Sequence, residues 1–153
     1  LLEESLGIST VGLGTNPHTL PAFVSHPLGM IASDAILFGE YPNPRSYGCF
    51  PIVLAEYVRA EKHLALPEAI RKMTSFPAQR LGLPDRGLLR DGFRADIVVF
   101  NPSTVKTHAT REDPKHYPVG IEYVIVNGQV VIDQGENTGA LPGRALRRAR
   151  GST

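Results

Sequence analysis

The sequence predicts an α/β fold in which β/α units come first and a β-rich portion follows. Three observations carry that reading. Up to about residue 83, short apolar runs alternate with helix-compatible stretches, the pattern of parallel β/α units. From residue 84 to about 135 the chain reads instead as strands and turns. Within that second part Asn127-Gly128 separates two apolar runs, a strong hairpin signal because both central residues of a type I′ turn need positive φ. The chain has no internal repeat and no low-complexity segment.

The elements follow in order. A short helical stretch opens the chain, and Ile8-Ser9-Thr10-Val11-Gly12-Leu13 reads as a strand. Residues 19–25 suit a helix, and Gly29-Met30-Ile31-Ala32-Ser33 reads as a second strand that ends at Asp34. Residues 39–49 read as a loop, with Pro42, Pro44 and Gly48 opposing regular structure. Pro51 suits the first turn of a helix that places Leu54, Tyr57 and Val58 on one face. A second helix starts near Pro67 and buries Ala69, Ile70 and Met73. Ser75 is placed to cap a third, opened by Pro77 and closed by Gly82. Beyond it, Ala95-Asp96-Ile97-Val98-Val99-Phe100 is an apolar strand stopped by Asn101-Pro102, and residues 121–126 and 129–133 form the hairpin arms.

Composition narrows the classes. At 153 residues the chain has room for one ordinary domain with a core. A formal net charge of +1 argues neither for nor against a nucleic-acid partner; none is expected, and Arg144, Arg147, Arg148 and Arg150 read as a solvated basic tail rather than a phosphate-binding patch. No apolar run approaches the roughly 20 residues that span a bilayer, so no membrane partner is expected. The opening Leu1-Leu2-Glu3-Glu4-Ser5 lacks an initiator Met and a signal-peptide pattern, as in a chain cut from something longer. A lone cysteine excludes an internal disulfide and fits a reducing, cytoplasmic compartment.

Asp34 is the sharpest candidate for chemistry. A carboxylate that closes an apolar strand is unusual, because desolvating it without a partner is costly. In β/α barrels the catalytic mouth lies at the C-terminal strand ends, which is where such a residue would sit. An Asp that caps a turn after the strand fits the local sequence equally well. Arg45 and Tyr47 lie in the following loop, where an arginine could grip a substrate carboxylate with two parallel hydrogen bonds or pair within the loop. The histidines, His18, His26, His63, His108 and His116, form no His-x-His pair, no helical pair and no cluster with Cys. They read as surface or turn residues. Cys49 has no base in a local motif and reads as a small buried residue. Gly12-x-Gly14 lacks the third glycine of a dinucleotide fingerprint.

The stretch Met73-Thr74-Ser75-Phe76-Pro77-Ala78, with Leu81-Gly82-Leu83, Arg86-Gly87, Gly92 and Ala95-Asp96-Ile97-Val98-Val99-Phe100, resembles the C-terminal signature of the amidohydrolase superfamily. The hairpin from Val124-Ile125-Val126 through Gln129-Val130-Val131 is similar to the sandwich strands that follow it there. Three further stretches resemble the D-aminoacylase branch, the N-acyl-D-amino-acid deacylases. They are His26-Pro27 through Ile31-Ala32-Ser33-Asp34, the loop Pro44-Arg45-Ser46-Tyr47-Gly48-Cys49-Phe50-Pro51, and the ending Thr138-Gly139-Ala140-Leu141-Pro142-Gly143-Arg144 with Leu146-Arg147-Arg148.

The resemblance implies the last two β/α units of a TIM-like barrel over residues 1–83, a small β-sandwich segment over 84–143 and the basic tail over 144–153. A full barrel needs about 250 residues, so this stretch cannot close one. An unpaired strand edge near Val11 would favour self-association. The resemblance further implies hydrolysis of an N-acyl-D-amino acid to a carboxylate and a D-amino acid, with zinc as cofactor. It makes Asp34 the proton shuttle and, in two-metal relatives, a metal ligand. The other ligands, a His-x-His among them, would precede Leu1, so the fragment alone is expected to be inactive. Asn43, Cys49 and Ile52 depart from the family's usual His, Thr and basic residue, which puts fine substrate specificity in doubt. Two rival readings are an amidohydrolase acting on cyclic amides or on D-glutamyl or D-aspartyl substrates, and a non-catalytic assembly module.

Overall fold

A computed structural model describes residues 16, 18–37, 39 and 41–146. The strand expected at 8–13 and the arginines at 147, 148 and 150 lie outside the described residues. Four helices come first: α1 (Leu20–Ser25), α2 (Arg45–Ile52), α3 (Leu66–Met73) and α4 (Ser75–Leu81), with a π-helical continuation of α2 over Val53–Ala60. Four strands follow: β1 (Ile97–Phe100), β2 (Ile121–Val126), β3 (Gln129–Asp133) and β4 (Glu136–Asn137).

The apolar run before Asp34 does not form the expected strand. A parallel strand exists only through its neighbours, and no described strand lies beside this one. The segment is held by α3 instead. Its Ile31 N–H donates to the Lys72 carbonyl at 3.1 Å. The Lys72 ammonium, fully buried, donates to the carbonyl of Gly29 at 2.9 Å and to that of His26. Ala69, Ile70 and Met73 do turn toward the core from α3, but no periodicity marks Lys72 as buried beside them.

Helix α2 begins at Arg45, well before Pro51, so the loop expected over 39–49 is shorter than its prolines suggest. Asn43 starts it: its side-chain Oδ1 accepts the Arg45 N–H at 3.1 Å, and its carbonyl accepts the Ser46 N–H at 2.9 Å. This is an Asx-type helix start. Gly48 is a packing residue rather than a breaker, because a Cβ there would stand 2.4 Å from Thr107 Oγ1. Pro51 lies inside the helix. It has no N–H and its ring crowds the carbonyl one turn back, and the chain answers by widening into the π turn that buries Val53, Leu54 and Ala55. Helix α4 starts at Ser75 without the expected side-chain cap, and Gly82 closes it at φ 70°.

The strands make one antiparallel sheet in chain order. Asn127 (φ 48°) and Gly128 (φ 81°) supply the left-handed turn between β2 and β3. Arg86, only 13% exposed, locks that turn to the residue that leads into β1. It pairs with Asp96 and donates to Asn127 Oδ1 at 2.7 Å, while Asp96 accepts the Asn127 N–H at 2.8 Å. The core joins both halves: Val53, Leu54, Leu64 and Ala69 pack with Val105, and Phe100 and Ile121 close over them. The described residues therefore form helices against a single sheet, an α/β arrangement; they build neither a closed barrel nor a second sheet.

Lys72→Met would leave two carbonyls without their donor and is expected to destabilise the fold by about 1–3 kcal/mol, read as a lower denaturation midpoint at unchanged slope. Burial holds the Lys72 pKa below its ordinary value of 10.5. Between the folded and unfolded pKa the unfolded chain binds the extra proton, so stability rises with pH there. The gap between wild type and Lys72→Met should widen as pH climbs toward 10.5.

Candidate active site around Asp34

Helix α2 presents three side chains to the segment that carries Asp34. Arg45 Nη2 lies 2.5 Å from Asp34 Oδ2, and its Nε donates to the Asp34 carbonyl at 3.3 Å. Ser46 Oγ accepts the Ile36 N–H at 3.2 Å and donates to the Ile36 carbonyl at 3.1 Å. The Cys49 thiol points at the Ala32 carbonyl, 3.5 Å away. Residues 45, 46 and 49 share a helix face, which is why one helix end can grip residues 32–36 at three points.

Asp34 itself stands on left-handed backbone (φ 46°), a conformation Asp tolerates better than most residues and one that turns its side chain outward. The carboxylate is 79% exposed and Arg45 is 44% exposed. An ion pair this open is worth less than about 1 kcal/mol. It can be broken by any ligand that offers either partner something better. Burial pushes the Cys49 thiol up despite the nearby Arg45 charge, so the sulfur is a packed, protonated donor rather than a nucleophile.

The structure brings Asp34 and Arg45 together and sends Tyr47 elsewhere. Two positions on from Arg45, the Tyr47 ring turns to meet Tyr117 edge-on at 5.6 Å. Ser46 has no signal of its own in the sequence, because a serine at a helix start carries no sign of which distant segment it will hold. All of the histidines are exposed: His63 pairs with Glu61 at 3.0 Å, His116 with Asp113 at 2.6 Å, and His26 Nδ1 accepts the Leu28 N–H at 3.2 Å. Among the described residues no group of three or more His, Cys, Asp or Glu could hold a metal ion. The described residues therefore do not fit a zinc site by themselves. They offer one carboxylate, one of whose oxygens is on a guanidinium. A double-mutant cycle with Asp34→Asn and Arg45→Met should give a coupling below about 1 kcal/mol that shrinks further in salt; a large, salt-insensitive value would mean a locked structural pair.

The model of the family described as "Amidohydrolase family" matches residues 20–132. An N-acyl-D-aspartate deacylase of Alcaligenes xylosoxydans xylosoxydans is 46% identical over 123 residues, 80% of this chain and 24% of the relative. A D-aminoacylase of the same organism is 44% identical over 119 residues, 78% of this chain and 25% of the relative. Among solved structures, an N-acyl-D-glutamate deacylase from Bordetella bronchiseptica, complexed with zinc and a phosphonate mimic of the tetrahedral intermediate, superposes with a TM-score of 0.81 at 38% identity. That superposition covers 88% of this chain and 28% of the neighbour. The chain thus spans about a quarter of the length of the relatives it matches. With the family model matching most of its length, the chain belongs to the amidohydrolase family.

Proposed function

We propose that this chain is the C-terminal portion of a zinc-dependent enzyme that hydrolyses the amide of an N-acyl-D-amino acid. What carries the reading is an outward-turned carboxylate at Asp34 within reach of a guanidinium, in a chain related to three deacylases of this class. Those relatives act, by name, on an N-acyl-D-aspartate, an N-acyl-D-glutamate or a D-amino acid conjugate at similar identity. The proposal is therefore made for the shared N-acyl-D-amino acid and for no particular side chain.

In this reading Asp34 moves the proton. Its carboxylate takes a proton from the attacking water as the new C–O bond forms at the acyl carbon, and gives it to the nitrogen as the C–N bond breaks. A carboxylate suits both halves, since it can accept and then donate within one cycle. Zinc supplies polarisation of the carbonyl and a more acidic water. It would be held mainly by residues outside this chain, with Asp34 as an added ligand. Arg45 is the candidate partner for the substrate carboxylate, by the two-pronged geometry of a guanidinium. Tyr47, turned onto Tyr117, would reach substrate only by leaving that ring, so it is the weaker of the two proposed contacts. The extended segment and helices of the first half then belong to a β/α barrel, and the sheet to a β-sandwich, completed by the rest of the protein. The lone cysteine supports a cytoplasmic location.

In the full-length protein Asp34→Asn should lower kcat on an N-acetyl-D-amino acid by about 10²–10⁴, with KM little changed. Undiminished turnover would make Asp34 structural, and preference for the L-enantiomer would remove the proposed substrate class.

A further inference from the structure

Helix α2 makes contacts on two opposite faces. Arg45, Ser46 and Cys49 hold the Asp34 segment on one of them. Tyr47, Gly48 and Pro51 lie about half a turn away, and Gly48 and Pro51 are buried. Tyr47 and Gly48 meet the other half of the chain, in the loop of residues 101–120 between β1 and β2.

That loop has a fixed base. Val105 is fully buried in the core, and Arg59 donates to its carbonyl and to that of Pro102 at 2.9 Å. Lys106 and Val119 pair across the loop, N–H to carbonyl in both directions, at 3.2 and 2.9 Å. Gly120 lets the two arms close, since a Cβ there would stand 2.6 Å from the Val105 nitrogen. Thr107 is the next residue out from this base, and its hydroxyl accepts the Ala109 N–H at 3.1 Å. Its side chain is thereby held as one firm surface against α2.

The contact with Gly48 has no slack. A Cβ at position 48 would be 2.4 Å from Thr107 Oγ1 and 3.0 Å from the threonine Cβ. The nearer distance is about 1 Å inside the roughly 3.5 Å of an unstrained contact. The Tyr47–Tyr117 contact beside it is looser, because Tyr117 is 81% exposed. Close-packed interiors pass such displacements on rather than absorb them. Whatever moves this face of α2 moves the face that holds the Asp34 segment.

We propose that Thr107 is a positioning residue for the deacylase site: it seats α2 at the depth from which Arg45, Ser46 and Cys49 hold the Asp34 segment. This rests on the deacylase reading above. A shift of about 1 Å at a reacting group lowers a rate about 10²-fold, so the seat acts on kcat as well as on stability.

The test uses the full-length, zinc-loaded protein and an N-acetyl-D-amino acid, with each variant assayed well below its unfolding midpoint and at measured zinc content. Gly48→Ala, which drives the helix off its seat, should lower kcat by about 10- to 100-fold. Thr107→Ala removes the seat without a clash and should lower kcat about two- to fivefold, the effect of a shift well short of 1 Å. In Gly48→Ala/Thr107→Ala the new methyl takes the space that the hydroxyl left, and kcat should return to at least that of Thr107→Ala alone. A threonine that only stabilises the fold lowers the unfolding midpoint and leaves kcat unchanged. Thr107→Ala with wild-type kcat overturns the proposal whether or not Gly48→Ala folds, and so does a double variant no faster than Gly48→Ala. If either is found while Asp34→Asn loses turnover, the deacylase reading stands and the positioning role alone falls. If Asp34→Asn turns over normally, both fall.

Discussion

A fully buried lysine holds the candidate site in place. The Lys72 ammonium is satisfied by carbonyls of the stretch that leads to Asp34, and its own carbonyl takes the Ile31 N–H. Burial disfavours the charged form, so the ammonium is tolerable only because carbonyl oxygens replace the water it gives up. Neighbouring Arg71 carries the same tether outward, donating to the Pro27 carbonyl at 3.3 Å while Glu68 braces its guanidinium at 2.8 Å. The segment before Asp34 thus has fixed anchor points without belonging to a sheet.

From α3 the support passes through the core to the strands. Ala69 packs with Val53 and Leu54 of the π turn, and these meet Val105, Phe100 and Ile121. Arg59, also in the π turn, donates to the carbonyls of Pro102 and Val105 at 2.9 Å, which fixes the chain leaving β1. Helix α2 adds a second tie, with Gly48 against Thr107 and Tyr47 against Tyr117. One face of that helix holds residues 32–36 while another rests on the sheet half. The position of the Asp34 loop is consequently a property of both halves of the chain.

The pairing of Asp34 with Arg45 has a different character from this scaffold. The Lys72 contacts and the apolar core are buried, whereas the ion pair is exposed and weak. The stronger contacts position the loop, and the ion pair is left able to exchange partners.

Local chemistry made part of this legible in advance. Asn127-Gly128 determined the hairpin because a left-handed turn needs residues that tolerate positive φ, and Gly82 closed α4 for the same reason. Asp34 and Arg45 stood out through motif resemblance, while local sequence left each with two readings. Other features had no local signature. The run at 29–33 is apolar enough for a strand, but strand pairing depends on a neighbour that the segment does not carry. Arg45 and Tyr47 looked like companions in one loop; on a helix, residues two apart point to different sides, and only Arg45 faces Asp34. The burial of Lys72 follows from which carbonyls another part of the chain brings to it. Sequence determined the hairpin turn and the glycine that closes α4, because these rest on single residues and their immediate neighbours. Tertiary structure decided that Arg45 pairs with Asp34 and that Lys72 anchors the approach, because both depend on separate segments of the chain meeting in space.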